Sequence, residues 1–472
     1  MNLSQIRHKY IGDRAFYRTV LAVAVPIMVQ NGITTFVGLL DNIMVGQTTP
    51  EQMNGVAIVN QLLFVFNLCI FGGLSGAGIF TAQYFGHGDH EGIRQTFRFK
   101  LWLAAGITGI AAAVFLLAGE PLIRLYMTNE ADDPARVADT LAFGLDYLRV
   151  MLLGLPAFAL VQTYTSTLRE CSQTMLPMKA GIAAVLVNLL FNWLLIFGNL
   201  GFPKLGVVGA AAATVISRFT EAAIVVIWTH THAHRCPWIR GMYRTLRVPA
   251  DKVCEFIRKG IPLLVNEALW STGQAILVQC YSVLGLDVVN GLNISTTISN
   301  LFMIIFTTLG SSVAIIVGQL LGAGRLKEAK DTDTKMIAFS ILCSVGTGLI
   351  MFLVCPLFPQ LYQTTDTARA AAVRLMRVSA CFMPVHAFMN AAYFTLRSGG
   401  KTWVTFLFDS GFVWVVSLPI ALLLSRATDL SAPWMMALVG AGDLVKCAAG
   451  YVMVKGNTWI HNMVAPGAKD SA

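Results

Sequence analysis

Charge is scarce in this chain of 472 residues: Asp, Glu, Lys and Arg make up 12% of it, where a soluble protein carries roughly 25%. That shortage excludes a soluble globular fold, because apolar residues at 56% and a mean hydropathy of +0.65 place the chain in a bilayer. The residue-by-residue alternation of barrel strands is missing as well. The apolar runs are continuous, which leaves helices, the other structure that satisfies every backbone polar group in lipid. No C-x-x-C pair occurs among the nine cysteines (Cys69, Cys171, Cys236, Cys254, Cys280, Cys343, Cys355, Cys381 and Cys447). They lie scattered, mostly within apolar runs, and read as reduced packing residues. A P-loop, a dinucleotide glycine fingerprint and a serine or cysteine nucleophile motif are also lacking, which leaves an ion gradient as the energy source.

What is present is long apolar sequence. Twelve stretches of about 20 residues or more can each cross a hydrocarbon core as a helix. They lie near 16–45, 53–82, 97–118, 141–166, 175–198, 206–230, 255–283, 289–320, 336–358, 376–396, 402–425 and 432–455. Every second connection is basic, beginning with Arg7, Lys9, Arg14 and Arg18 and ending with Lys455 and Lys469, while 119–140 carries Glu120, Glu130, Asp132, Asp133 and Asp139. Positive loops stay inside, so both termini are expected in the cytoplasm of a cell inner membrane. The net charge of +9 follows from this bias toward an anionic leaflet and implies membrane lipid, not nucleic acid, as its partner. The first stretch is too long for a signal core and is expected to remain as a helix. The basic segment 231–259, with Pro237 and Pro249, reads as a cytoplasmic linker. His230, His232 and His234 alternate at its start, and a period of two does not stack side chains on one helical face, so exposed histidines are expected there and no metal site.

The chain repeats itself. Residues 78–96 return, degenerate, at 314–332: Gln83, Gly86, Gly88 and Thr96 match Gln319, Gly322, Gly324 and Thr332, 236 positions on. The same offset pairs Pro26 with Pro262, Asn54-Gly55 with Asn290-Gly291, and Tyr126 with Tyr362. Farther along the offset is 228, pairing Arg149 with Arg377, Pro156 with Pro384, and Leu168-Arg169 with Leu396-Arg397. A duplicated bundle is how secondary transporters build a site that opens to either side. The expected architecture is therefore an all-α integral membrane protein of twelve transmembrane helices in two pseudo-symmetric six-helix bundles, 1–230 and 255–472, joined by a linker at 231–254.

Ionisable groups in hydrocarbon are costly and mark transport paths or pairs. The candidates are Asp41, Arg218, Glu221, Glu267, Asp409, Asp443 and Lys446. Asp41 lies fifteen residues beyond Pro26, about 22 Å along a helix, in a span that Gln30 and Asn31 make unusually polar. Asn188 and Asn192, four apart, share a helix face and either present two carbonyl oxygens to one ion or form an inter-helical hydrogen-bond pair that glues the bundle. Thr214 offers a hydroxyl toward the same place or bonds its own backbone. Arg218 with Glu221, and Asp443 with Lys446, are each three apart, which predicts an ion pair along each of helices 6 and 12 with a structural role.

In the order of these features the chain resembles the multidrug and toxic compound extrusion (MATE) transporters over nearly its whole length. The resemblance rests on Pro26 through Asp41 to Val45-Gly46, the GHGD and GAGR turns after helices 2 and 8, Leu168-Arg169 and Leu396-Arg397, and the stretch from Gly206 to Thr214. It implies an N-terminal cation site at Asp41, Asn188, Asn192 and Thr214. In members with a second site it implies a helix 7 Glu, matched here by Glu267, and a helix 10 Asp, where this chain has His386 and Asn390 instead; Asp409 in helix 11 is the carboxylate left to compensate. It implies no enzyme activity and no cofactor. The coupling ion is H⁺ or Na⁺, the cargo a small organic cation, and the working unit a monomer. Substrate is expected against Phe36, Phe64, Trp270 and Met303, soft side chains that suit a promiscuous site, with Gln30, Asn31 and Asn390 as polar lining. A flippase for lipid-linked saccharides would want several Arg and Lys deep in its spans, where only Arg218 and Lys446 stand. A membrane-embedded acyltransferase would want a catalytic His beside a carboxylate near one face, and His386 alone lies clearly within a span.

Overall fold

The computed structural model describes residues 9–127, 134–362, 364–428 and 430–465, less the side chains of residues 39, 42, 43 and 286. The acidic residues Glu130, Asp132 and Asp133, together with Arg7 and Lys469, lie outside them. Among the described residues there are twelve long helices and no strand. They are α1 Arg14–Val45, α2 Pro50–His87, α3 His90–Arg124, α4 Pro134–Glu170, α5 Met175–Phe197, α6 Val207–Thr231, α7 Ala250–Ser282, α8 Leu286–Gly322, α9 Leu326–Val354, α10 Asp366–Ser398, α11 Thr402–Ala427 and α12 Ala432–Lys455. Ten are long and apolar enough to cross a membrane; α7 and α10, equally long, are more polar because they carry Asn266 and Glu267, and His386 and Asn390, at mid-length.

The repeat seen in the sequence is a repeat of contacts. Helices α2 and α8 end in the same way: Gly88 and Gly324 adopt φ of +81° and +74°, conformations open to residues without a Cβ. The N–H of Asp89 reaches back to the Tyr84 carbonyl and that of Arg325 to Leu320. Helices α4 and α10 turn alike at Ser172 (φ 59°) and Gly400 (φ 73°), with Gln173 N–H on the Leu168 carbonyl and Lys401 N–H on that of Leu396. The Leu-Arg pairs of the sequence thus supply the carbonyls that close these helices. Gly55 presses on α4 at the Thr140 carbonyl and the Gly144 N–H, and Gly291 presses on α10 at the Ala368 carbonyl and the Ala372 N–H. Each partner stands 228 positions from its counterpart.

The ends of α2 and α8 also cross one another. A Cβ on Gly86 would overlap the Gln319 carbonyl oxygen, and a Cβ on Gly322 would overlap that of Gln83. Two glycines are required because the backbones touch. Elsewhere the copies solve one contact in opposite ways. A Cβ on Gly154 of α4 would lie 3.1 Å from Val215 of α6, whereas in the second copy the bulk is on α10, where Phe382 comes within 3.0 Å of the position a Cβ on Gly440 of α12 would take.

Compactness divides the chain into one unit of Val29–Gly78 with His90–Phe256, and another of the chain to Met28, Ile79–Asp89 and the chain from Ile257. These units cut α1 and α2, whereas the repeat boundary falls at the linker. The first turns of α1 belong to a core that joins Val20, Val23, Ala24 and Ile27 to Leu309, Val313, Val317 and Leu321 of α8.

The linker is itself part of the repeat. Trp238-Ile239-x-x-Met242 after α6 matches Trp459-Ile460-x-x-Met463 after α12, and both tryptophans are fully buried. The carbonyls of Trp238 and Met242 accept from Arg94 (3.0 Å) and Arg98 (3.1 Å) of α3. Met463 N–H donates to Gln83 Oε1 at 2.8 Å. His230 and His234 are exposed, and no cluster of three metal-binding side chains exists among the described residues.

Candidate functional site

The N-terminal copy holds a hydrogen-bonded chain across three helices. Helix α1 delivers Asp41, whose Oδ1 accepts from Asn192 Nδ2 at 2.7 Å. Asn192 lies one turn from Asn188 on α5, and the same amide reaches Asn188 Oδ1 at 3.1 Å. Asn188 Nδ2 in turn meets Thr214 Oγ1 of α6 at 3.4 Å, while Thr214 donates to the Ala210 carbonyl at 3.0 Å. Asn188 and Asn192 are buried, and the Oδ1 of Asn192 is a buried acceptor with no donor. A buried oxygen without a partner costs free energy unless a cation or proton donor answers it. The four residues named from the sequence are therefore brought together, with a carboxylate and an unanswered carbonyl oxygen side by side.

Charges around that chain are few. Arg218, one turn below Thr214, is felt by Asp41 through space, but its Nη1 is bonded to Glu221 at 3.2 Å and its guanidinium lies over the Phe158 ring, 5.3 Å from the centroid. The pair expected along helix 6 thus forms. Tyr147, buried near Asp41, donates to Asn60 Oδ1 at 3.3 Å; neither residue stands out in the sequence, since a tyrosine and an asparagine inside a span have no motif. On α4, Arg169 donates to Gln30 Oε1 at 2.6 Å. Gln30 is tied into helix packing by this bond. Asn31, next to it, receives the Thr35 hydroxyl on its backbone carbonyl.

The C-terminal copy is organised differently. Asp409 lies in the second turn of α11. It is half-buried, its Oδ1 held by Lys446 Nζ of α12 at 2.9 Å and its Oδ2 by Asn266 Nδ2 of α7 at 3.1 Å. The helix 12 pair predicted from the three-residue spacing is therefore corrected: Lys446 bonds across to α11, and Asp443 faces His386 of α10 at 3.4 Å. Neighbouring helices offered these two charges closer partners than their own helix did. Glu267, following Asn266, lies near Tyr393 and feels the charge of Arg397. The repeat contains the signal for this: Gln30 corresponds to Asn266, Asn31 to Glu267, and Arg169 to Arg397. Asn390 keeps a buried Oδ1 without a donor, and a Cβ on Gly310 would overlap it. Phe36, Phe64 and Trp270 are exposed, whereas Met303 packs against Ile294, Ile298 and Phe306.

The MatE family model matches residues 26–194 and again 262–443, once over each copy. Among characterised sequences the chain is 26% identical to the probable multidrug resistance protein NorM of Thermotoga maritima, across 88% of this chain and 86% of that one. It is 27% identical to the multidrug resistance protein PmpM of Pseudomonas aeruginosa, across 86% and 83%. The fold matches a crystal structure of MATE in complex with MaL6 at a TM-score of 0.82 and 17% identity, over 97% of this chain and 98% of the other. An outward-facing multidrug resistance MATE transporter matches it equally well, at 0.82 over 97% and 99%. With both copies matched by the family model, twelve helices and the fold of these transporters, the chain belongs to the MatE family of multi-pass membrane transporters.

Proposed function

We propose that this chain is a cation-coupled antiporter of the cell inner membrane, with both termini cytoplasmic, that exports organic and mostly cationic drugs or toxins by alternating access. The observation that carries this reading is the chain from Asp41 through Asn192 and Asn188 to Thr214. It sets a carboxylate beside an unanswered amide oxygen, with no Lys or Arg bonded to either among the described residues. A carboxylate in a low-dielectric site does not remain bare, so H⁺ or Na⁺ and a cationic substrate compete for it, and that competition couples the fluxes. One cation entering per cycle releases roughly 2.3 kcal/mol per 100 mV of membrane potential. No cofactor is required, the cargo is a small organic cation, and a monomer in membrane lipid suffices. The names of the relatives, multidrug resistance proteins, support the class of cargo. Glu267, which feels the charge of Arg397, is the second carboxylate on the path.

The test is efflux of a cationic dye from proteoliposomes under separately imposed proton and sodium gradients. Efflux driven by one gradient and lost in Asp41→Asn is the expected result; efflux indifferent to both gradients overturns the reading.

A further inference from the structure

In the C-terminal copy the carboxylate at Asp409 belongs to a cradle with a cation already seated in it. Lys446 is 7% exposed. Its ammonium meets Asp409 Oδ1 at 2.9 Å and lies over the rings of Phe408 and Phe412, 5.1 and 5.9 Å from their centroids. A carboxylate flanked by two aromatic faces is the chemistry by which proteins recognise alkylammonium ions. All three cradle residues come from one short stretch of α11. That stretch is π-helical, over Leu407–Gly411 and Val413–Ser417, a geometry concentrated at functional sites.

The cradle is anchored without help from Lys446. Ser410 bonds three times to Asn266 of α7: its N–H to Oδ1 at 3.2 Å, and its hydroxyl to Oδ1 at 2.7 Å and to the backbone carbonyl at 2.8 Å. Trp414 Nε1 donates to the Leu269 carbonyl at 2.9 Å, and a Cβ on Gly273 would meet Val413 at 2.8 Å. The π-helical stretch is thus fastened to α7 along two turns, and Asn266 also fixes the second oxygen of Asp409. Lys446 enters from a third helix.

We propose that Asp409, Phe408, Phe412 and Asn266 form a seat for a primary alkylammonium ion, and that Lys446 is its resident occupant, denying the seat to free cations. Lysine is an alkylammonium on a tether, and cutting the tether leaves the seat with its charge and its rings. A free amine of matching length then takes the place of the side chain.

The experiment compares the melting temperature of the full-length purified protein with that of Lys446→Ala and of Lys446→Ala/Asp409→Asn, each titrated with ethylammonium chloride at constant ionic strength against sodium chloride. Lys446→Ala should melt several degrees below the parent and recover in a saturable way with ethylammonium. The parent and the double variant should not respond. Should Lys446→Ala fail to accumulate, its folded yield is measured with ethylammonium present throughout expression and purification, and a rise confined to the single variant supports the seat. A single variant that ethylammonium leaves unmoved in both melting temperature and yield overturns it, as does an equal response in the double variant. The readout is binding, so it stands or falls independently of the coupling ion.

Discussion

Asp41 and Asp409 are both half-buried carboxylates in copies of one fold, and their partners differ in kind. Asp41 is met by an amide, and the nearest guanidinium is engaged with Glu221. Asp409 is met by an ammonium and an amide, so both its oxygens are bonded. The first arrangement leaves charge for a mobile cation to answer; the second closes its charge within the protein. Duplication supplied two similar scaffolds, yet the carboxylates stand on non-equivalent helices, Asp41 on the first of its copy and Asp409 on the fifth, and a lysine on α12 answers the second. The contrast teaches that the presence of a carboxylate in a span does not identify an ion site; what matters is whether a side chain already neutralises it.

The largest effect is expected where the copies behave alike. Gly86→Ala and Gly322→Ala each drive a methyl group into a backbone carbonyl that cannot retreat, so both should lose most of their folded yield in size-exclusion analysis. One variant folding normally while the other fails would show that the crossing is not shared equally.

Next come the carboxylates themselves. Asp41→Asn should insert normally yet cut resistance to a cationic drug by tenfold or more in an efflux-deficient host (~1.4 kcal/mol per tenfold). The neutral pair Asp409→Asn/Lys446→Met should stay within about threefold of the parent at equal expression. Similar losses in both would erase the distinction drawn here.

A smaller effect tests the ion pair of α6. Arg218→Ala strands the buried Glu221 and should lower the melting temperature by several degrees, whereas Arg218→Gln/Glu221→Gln restores most of it and retains transport. A double variant that folds but does not transport would place the pair on the path rather than in the scaffold.

The smallest effect concerns the opposite solutions to one contact. Gly154→Ala puts a methyl 3.1 Å from a Val215 methyl group that can shift, and should cost little; Gly440→Ala meets the ring of Phe382 at 3.0 Å and should cost more. Melting curves of the two variants measure the difference, and equal shifts would deny that the second copy is the tighter.

Much of this fold was legible because lipid narrows the choices. Continuous apolar runs admit only helices, and the offsets of 236 and 228 carry the duplication in the residues themselves. The cluster of Asn188 and Asn192 followed from helical period, since four residues return a side chain to the same face. What failed was pairing between helices. Asp443 and Lys446 are neighbours along α12, and spacing alone joined them, but His386 and Asp409 on adjacent helices hold them instead. Period describes one helix and is silent about the rotation of the next. The burial of Trp238 was missed for a different reason: a basic, proline-bearing linker reads as solvated, and only comparison with Trp459 shows that the segment is packed twice.

The seating of Gly86 on Gln319 and of Gly322 on Gln83 is an isologous contact, in which one residue meets a second and the first's counterpart meets the second's, as between identical chains across a twofold axis. A six-helix ancestor carrying a single copy of this helix end would already possess both sides of the interface. Fusing two such chains through a short segment replaces an association that depends on concentration with one set by the tether. Each copy is then free to diverge except where they touch, and a carboxylate met by an amide in one copy with a lysine-capped carboxylate in the other is the kind of difference that a strict homodimer cannot reach.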